Sequence, residues 1–312
     1  MRTFVLSGGG NRGPLQVGAL RALMQHGIAP KLIVGSSAGA LNGAYLAVDP
    51  TSDQVERMAD LWRDAGRRKL FTPSPAKSVA KLLRGRDHLV ENTRIRDYII
   101  ASIPRDRRTF GSLRVPFYAT ICHLLTQTLY VYGDDPDSSV VDAVLTSSAV
   151  PAFFPPHYHQ GQAFVDGGVV ANLPLKLAVS RGATEIWAID LAFDVDRSVK
   201  VKSALDIAGY AVRRPLYDNV LSELEWAVRQ PGVTVNHIAI SAFQNTPLGD
   251  FSKTEAMFTE GERAMQVYLS QPMPNRITYP HHYTAHTLPP GPPGSIPFVE
   301  QQRGVCMTSD GA

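Results

Sequence analysis

Apolar positions in this chain alternate between two spacings, and the alternation outlines its first fifty residues. Residues 3–6 (Thr-Phe-Val-Leu) and 32–34 (Leu-Ile-Val) are short, nearly unbroken apolar runs, the pattern of strands covered on both faces. Between them Val17, Leu20, Leu23 and Met24 recur at helical spacing behind Pro14, and Gly27 closes the stretch. A second helix-prone run, residues 40–46, follows the second strand. Strand-helix-strand-helix in so short a length predicts a parallel sheet covered by helices.

Further along, the same pattern predicts helices over much of residues 52–101, interrupted at Pro73 and Pro75, and strands at 115–121 and 128–132. A short helix is expected at 140–149, a strand at 163–165, a helix at 174–180 and strands at 185–190 and 235–240. Residues 202–229 read as a long helix or a helical pair broken near Pro215, and 253–269 as a closing helix. From Gln271 onward prolines accumulate, as in Pro289-Pro290-Gly291-Pro292-Pro293-Gly294, and the expectation is an irregular or disordered extension (residues 271–312) beyond a domain of residues 1–270.

Composition narrows the class. Over 312 residues, 44% hydrophobic and 19% charged content supports a sizeable core. A formal net charge of +3 is compatible with anionic surfaces but far from a nucleic-acid footprint, so no nucleic-acid partner is expected. Cys122 and Cys306 are far apart and match no metal or redox spacing. They point to reduced thiols in a cytoplasmic-type compartment. The N-terminus reaches glycine too soon for a signal peptide, and no run is long and apolar enough to span a membrane. Peripheral contact with a membrane surface stays open. Arg67, Arg68, Lys69, Lys77, Lys81, Arg84, Arg86, Arg94 and Arg96 make one stretch strongly basic, with Leu82, Leu83, Leu89 and Val90 among them. A solvated helical face is the favoured reading there, with a membrane-facing cover over the site as the alternative.

The chemistry concentrates at Gly35-Ser36-Ser37-Ala38-Gly39, between the second strand and the second helix. The spacing is that of a G-x-S-x-G nucleophile elbow, in which glycines at both flanks allow a strained turn to expose the serine. The following helix directs its positive end at the serine oxygen. Gly8-Gly9-Gly10-Asn11-Arg12-Gly13, after the first strand, also fits a dinucleotide-binding loop. That use requires an acid at the end of the second strand, where Gly35 and Ser36 stand instead. The alternative use is an oxyanion hole of successive backbone N–H groups beside Ser37.

For the base, His237 would complete a Ser–Asp–His order, but it lies in a strand-like run. His157 and His159 sit in a proline-rich loop without an orienting motif. Asp166 follows the apolar strand Ala163-Phe164-Val165, and Gly167-Gly168 allow a sharp turn behind it. Partial desolvation beside Ser37 would make that carboxylate a stronger base.

Together, the glycine loop with Gly18, Leu20 and Leu23 behind it, the elbow Gly35–Gly39, and Asp166-Gly167-Gly168 resemble the patatin-like phospholipase family. Ser147 through Pro156 resembles that family's proline-rich segment before the catalytic aspartate, and the likeness covers roughly residues 1–190. It implies a three-layer α/β/α sandwich with a mostly parallel central sheet, and lipid acyl hydrolysis by a Ser–Asp dyad without histidine, metal or cofactor. Ser37 would be the nucleophile, Asp166 the base, and Gly8, Gly9, Gly10 and the Arg12 N–H the oxyanion hole. Gly13, Gly35, Gly39, Gly167 and Gly168 would support them. The Arg12 guanidinium would either shape the loop or meet an anionic head group. The substrate would be a lipid or another acyl ester; the alternatives are an acyltransferase using the same acyl-enzyme and a catalytically silent lipid-binding module.

Overall fold

The computed structural model describes residues 1–68, 70, 93–192 and 204–277, all within one compact unit spanning residues 1–278. Most of the basic stretch, and the extension beyond residue 277, lie outside the described residues. Among the described residues eight strands form one sheet: β1 (Arg2–Leu6), β2 (Leu32–Gly35), β3 (Phe117–His123), β4 (Leu129–Tyr132), β5 (His157–His159), β6 (Gln162–Asp166), β7 (Glu185–Asp190) and β8 (Thr234–Ala239). Their order is β5-β6-β3-β2-β1-β7-β8, with β4 also paired to β3. The run β3-β2-β1-β7-β8 is parallel, while β4, β5 and β6 add antiparallel pairs.

Helices cover both faces. They are α1 (Gly13–Gln25), α2 (Ala38–Val48), α3 (Ser52–Arg67), α4 (Thr93–Ser102), α5 (Val140–Ser147), α6 (Leu175–Ser180), α7 (Ala204–Ala227) and α8 (Thr254–Ser270). Phe4, Leu6, Ile33, Trp187 and Ile189 share one core with side chains of α1, α2, α3, α4, α5 and α8. Val5 and Val34 are just as buried yet stand outside that core, because successive side chains on a strand point to opposite faces. On their side α6 packs against β1 and β2, and α7 lies against α6. The layered α/β/α expectation holds.

Three details refine the sequence reading. Residues His157–His159, expected as loop, form an edge strand against β6, which recruits them by antiparallel pairing despite the flanking prolines. Of the two readings of residues 202–229, the long helix is the one observed, as residues 204–227 form one helix with Pro215 inside it. Past α8, Asn275 N–H donates to the Val235 carbonyl and its side-chain oxygen accepts from the Val235 N–H, both at 2.8 Å, so the chain stays tied to β8 beyond residue 270.

A buried polar chain fixes the helices to the end of the sheet where the parallel strands terminate. Gln16 donates to the Ser7 carbonyl at 2.8 Å and accepts from Asn42 at 2.9 Å, and Trp62 Nε1 donates to the Asn42 side chain at 2.8 Å. Thus α1, α2 and α3 are cross-linked directly behind the glycine loop. On the outer side α1 and α8 approach so closely that an added Cβ on Gly18 would strike the Phe258 carbonyl, and one on Gly261 the Leu15 carbonyl. Gly18→Ala and Gly261→Ala should each destabilise the fold by about 1–3 kcal/mol. The double variant should cost less than the sum, because a single separation of the two helices relieves both clashes. Urea midpoints of the three variants test this; full additivity would show that the two glycines serve separate contacts.

Candidate active site

Strand register brings the serine and the aspartate together. Gly35 at the end of β2 is paired with Ala119 of β3, and two residues further along β3, Ile121 is paired with Asp166 of β6. The separation between those two rungs is about 7 Å, a distance that the elbow and two side chains can close. The Ser37 side chain stands close enough to the Asp166 carboxyl to favour its charged form. Both residues are almost sealed, Ser37 at 6% exposure and Asp166 at 5%.

Ser37 adopts φ 54°, ψ −122°, a left-handed conformation that costs a side-chain-bearing residue roughly 1–3 kcal/mol. The turn persists because its surroundings over-determine it. Ser36 N–H donates to the Leu6 carbonyl at 3.1 Å, Ser37 N–H to Ser147 Oγ at 2.9 Å, and Ser148 Oγ to the Ser37 carbonyl at 3.4 Å. An added Cβ on Gly35 would meet the backbone of Gly39, and one on Gly39 would meet the carbonyls of Leu6 and Ser7. A serine before a helix ordinarily caps it with its own oxygen. Here Ser37 makes no side-chain cap, and its hydroxyl acts on the Asp166 carboxyl instead.

Asp166 is fixed by its backbone as well. Its N–H donates to the Ala149 carbonyl at 3.0 Å, and its Oδ1 accepts the Gly168 N–H at 2.7 Å. Gly167 lies against the Thr120 backbone, where no Cβ would fit. Burial pushes the Asp166 carboxyl up from its ordinary value to about 7, opposed by the Ser37 hydroxyl and the hydrogen bond from Gly168. A carboxylate titrating there is a far better base at neutral pH than a solvated one.

The glycine loop stands next to the elbow because Leu6 pairs with Gly35. Its donors are fewer than expected. Gly8 N–H is spent on the Asn172 carbonyl at 3.1 Å, and Arg12 N–H on the Gly9 carbonyl at 3.2 Å. The N–H groups of Gly9 and Gly10 donate to no acceptor among the described residues, and neither does that of Ala38, which immediately follows the serine. Gly13 keeps its place by packing against the Trp62 ring.

The Arg12 guanidinium is buried and donates to the carbonyls of Leu191 (2.7 Å) and Ala192 (3.0 Å). It therefore shapes the loop and does not reach out to a head group. Burial lowers its pKa to about 10, partly offset by Asp190, so it stays charged at neutral pH. Asp190 in turn pairs with His237 Nε2 at 3.3 Å, both fully buried between β7 and β8. His237 thus has a structural partner in the sheet, and His157 and His159 lie on the edge strand β5. Among the described residues no cluster of metal-ligating side chains occurs.

Sequence reasoning missed Ser147, Ser148, Ala38 and Asn172 as contributors. An added Cβ on Gly8 would come within 2.5 Å of Asn172 Oδ1 and 3.1 Å of Ser37 Cβ, and one on Gly168 would lie 3.0 Å from both Asn172 Oδ1 and Asp166 Oδ1. The Asn172 carboxamide therefore sits between the glycine loop and the aspartate turn. Only the paired serines at the end of an apolar helix carried a signal; an asparagine in a loop carries none.

A patatin-like phospholipase family model matches residues 4–179, more than half of the chain. The chain belongs to the patatin-like phospholipase family. It is 31% identical over 190 residues to patatin-like phospholipase domain-containing protein 7 of Rattus norvegicus, covering 60% of this chain and 13% of that protein. It is 27% identical over 204 residues to lysophospholipase NTE1 of Mycosarcoma maydis, covering 62% of this chain and 10% of that protein. The chain thus spans a small fraction of these relatives. Among solved structures, VipD from Legionella pneumophila aligns with a TM-score of 0.46 at 15% identity, covering 86% of this chain and 66% of that one.

Because Asp166 titrates higher in the folded chain than its unfolded value of about 3.9, the native state holds a proton that the unfolded chain has already released. Its contribution to stability therefore falls as pH rises from about 4 to about 7 and stays low above. The full penalty is on the order of 4 kcal/mol. Asp166→Asn should gain thermal stability relative to the parent between pH 4 and pH 8, measured by paired melting curves. A difference in Tm that does not change over that range would contradict the raised pKa.

Proposed function

We propose that the chain is a serine-dependent lipid acyl hydrolase of the phospholipase or lysophospholipase type, acting through an acyl-enzyme. The observation that carries this reading is the strained Ser37 set beside the buried Asp166, whose carboxyl is pushed up to about 7. Asp166 takes the hydroxyl proton as Ser37 Oγ attacks the ester carbonyl, and the N–H groups of Gly9, Gly10 and Ala38 receive the oxyanion. Collapse of the tetrahedral adduct expels the alcohol, which leaves with the proton from Asp166. A water then attacks the acyl-serine, giving its proton to Asp166, and the carboxylic acid is released with Ser37 restored. Charge develops only on groups met by backbone dipoles and the positive end of α2, so the chain's own residues suffice for each step.

Membership of the family and the printed names of its relatives support a lipid ester as substrate. The pairing of His237 with Asp190 speaks against a histidine-assisted acyltransferase. Among the described residues no helix is long and apolar enough to cross a membrane, which suits a protein that meets lipid from one side.

Ser37→Ala and Asp166→Asn should each lower kcat on a p-nitrophenyl ester by about a thousandfold or more, and the double variant should be hardly worse, since the two groups act as a unit. The parent kcat/KM should rise about tenfold per pH unit up to roughly pH 7 and level off above it, as the base loses its proton. Near-parental turnover in a folded Ser37→Ala protein would overturn the reading. So would a profile set by a group titrating near 4.

A further inference from the structure

Of the nine large apolar side chains exposed among the described residues, five gather at one place. The β3–β4 turn carries Leu124 at 39% and Leu125 at 86% exposure; β4 adds Leu129 at 39% and Tyr130 at 46%, and β5 adds Tyr158 at 64%. Register shows that they are neighbours. Leu129 is paired with Cys122, two residues before Leu124, which follows the end of β3 and keeps its antiparallel hydrogen bonding to β6. Leu124 N–H donates to the Ala163 carbonyl at 2.9 Å, and Ala163 is paired with Tyr158. Leu129, Leu124 and Tyr158 therefore line one face of the sheet edge, with Leu125 at its tip.

This patch stands at the end of the sheet that carries the site. Strand β3 runs parallel to β2, whose end leads into the elbow, and continues past it. Leu124 lies three residues beyond Ile121, the partner of Asp166, which places the tip about 10 Å further out along the strand. The surrounding sequence is also bare of charge. No Asp, Glu, Lys or Arg occurs between residues 115 and 133, or between 143 and 165, in a chain with 59 charged residues. Those two stretches hold the hairpin, β5, most of β6 and the segment leading to Asp166.

We infer that the β3–β4 hairpin is a neutral lipid-surface anchor that inserts Leu124 and Leu125 and seats the site against a bilayer. This rests on the lipid hydrolase reading for its purpose, but not for its test. A projecting tip of leucines with tyrosines behind it matches the depth profile of a membrane interface, aliphatic side chains innermost and amphipathic rings at head-group level. Loops without charge insert without stranding an ion in a low-dielectric layer. Association is therefore driven by apolar burial and is indifferent to salt, which separates it from a basic, electrostatic cover.

The test is flotation of the full chain with phosphatidylcholine vesicles, alongside turnover of a water-soluble short-chain p-nitrophenyl ester. The parent should float equally at 0.1 and 0.5 M NaCl. The variant Leu124→Ser/Leu125→Ser should lose at least tenfold in vesicle partitioning while keeping soluble-ester turnover and its melting temperature. As a second variant, Leu125→Trp should still float and show a vesicle-dependent blue shift absent from the parent, whose tryptophans are Trp62, Trp187 and Trp226. Unchanged partitioning of the serine variant, loss of binding in high salt, or a parent dimer that the serine variant dissociates without change in flotation would each overturn the anchor. A parent that floats but turns over neither ester nor lipid would instead overturn the hydrolase reading and leave the anchor standing.

Discussion

The register that sets the Ser37 turn beside the buried Asp166 is the constraint around which the rest of the molecule is arranged. A carboxylate becomes a useful base only when water is kept from it, yet desolvation alone would simply leave it protonated. The Ser37 hydroxyl and the Gly168 N–H offset part of that burial and hold the titration near neutrality. The balance demands accuracy of placement, and the sheet supplies it. Strand β2 stops where β6 can approach the same segment of β3, so the elbow and the aspartate turn meet across successive rungs. Shifting β6 by one residue would turn Asp166 to the other face of the sheet.

Backbone strain and buried polar groups concentrate around the same point. Ser37 has a positive φ, and Ser36 Oγ and Thr120 Oγ1, beside Gly168 and Gly167, have no hydrogen-bond partner among the described residues. These costs are met by cross-links that extend outward: Ser147 and Ser148 onto the elbow, Asn172 onto the glycine loop, and the Gln16–Asn42–Trp62 chain behind it. Arg12, Asp190 and His237 form a separate buried cluster that closes the β1–β7–β8 side of the loop. A histidine so close to the end of the sheet can be mistaken for a catalytic one. Its complete burial and its acidic partner on the adjacent strand give it a different task.

Much of this was readable from residue order. The elbow glycines, Pro14 and the apolar runs of β1 and β2 encode local conformations, and local conformations leave local signals. Asp166 was identifiable because a glycine pair follows an apolar strand. What could not be read was which donors remain unused. The Gly8 N–H is consumed by Asn172, a residue 164 positions away, and no motif records that bond. Likewise β5 exists because β6 offers it an edge. Exposure of the Leu124–Leu125 tip is also invisible to periodicity, since the same apolar residues would suit a buried strand.

The coupling between the two side chains can be measured without substrate. Carbon-13 labelling of the aspartate carboxyls, with Asp166→Asn to assign the resonance, allows the carboxyl of Asp166 to be titrated directly by NMR. A midpoint of about 7 is predicted in the parent, moving higher in Ser37→Ala because the hydroxyl stabilises the charged form. A midpoint near 4, or one that stays in place when the hydroxyl is removed, would contradict the dyad.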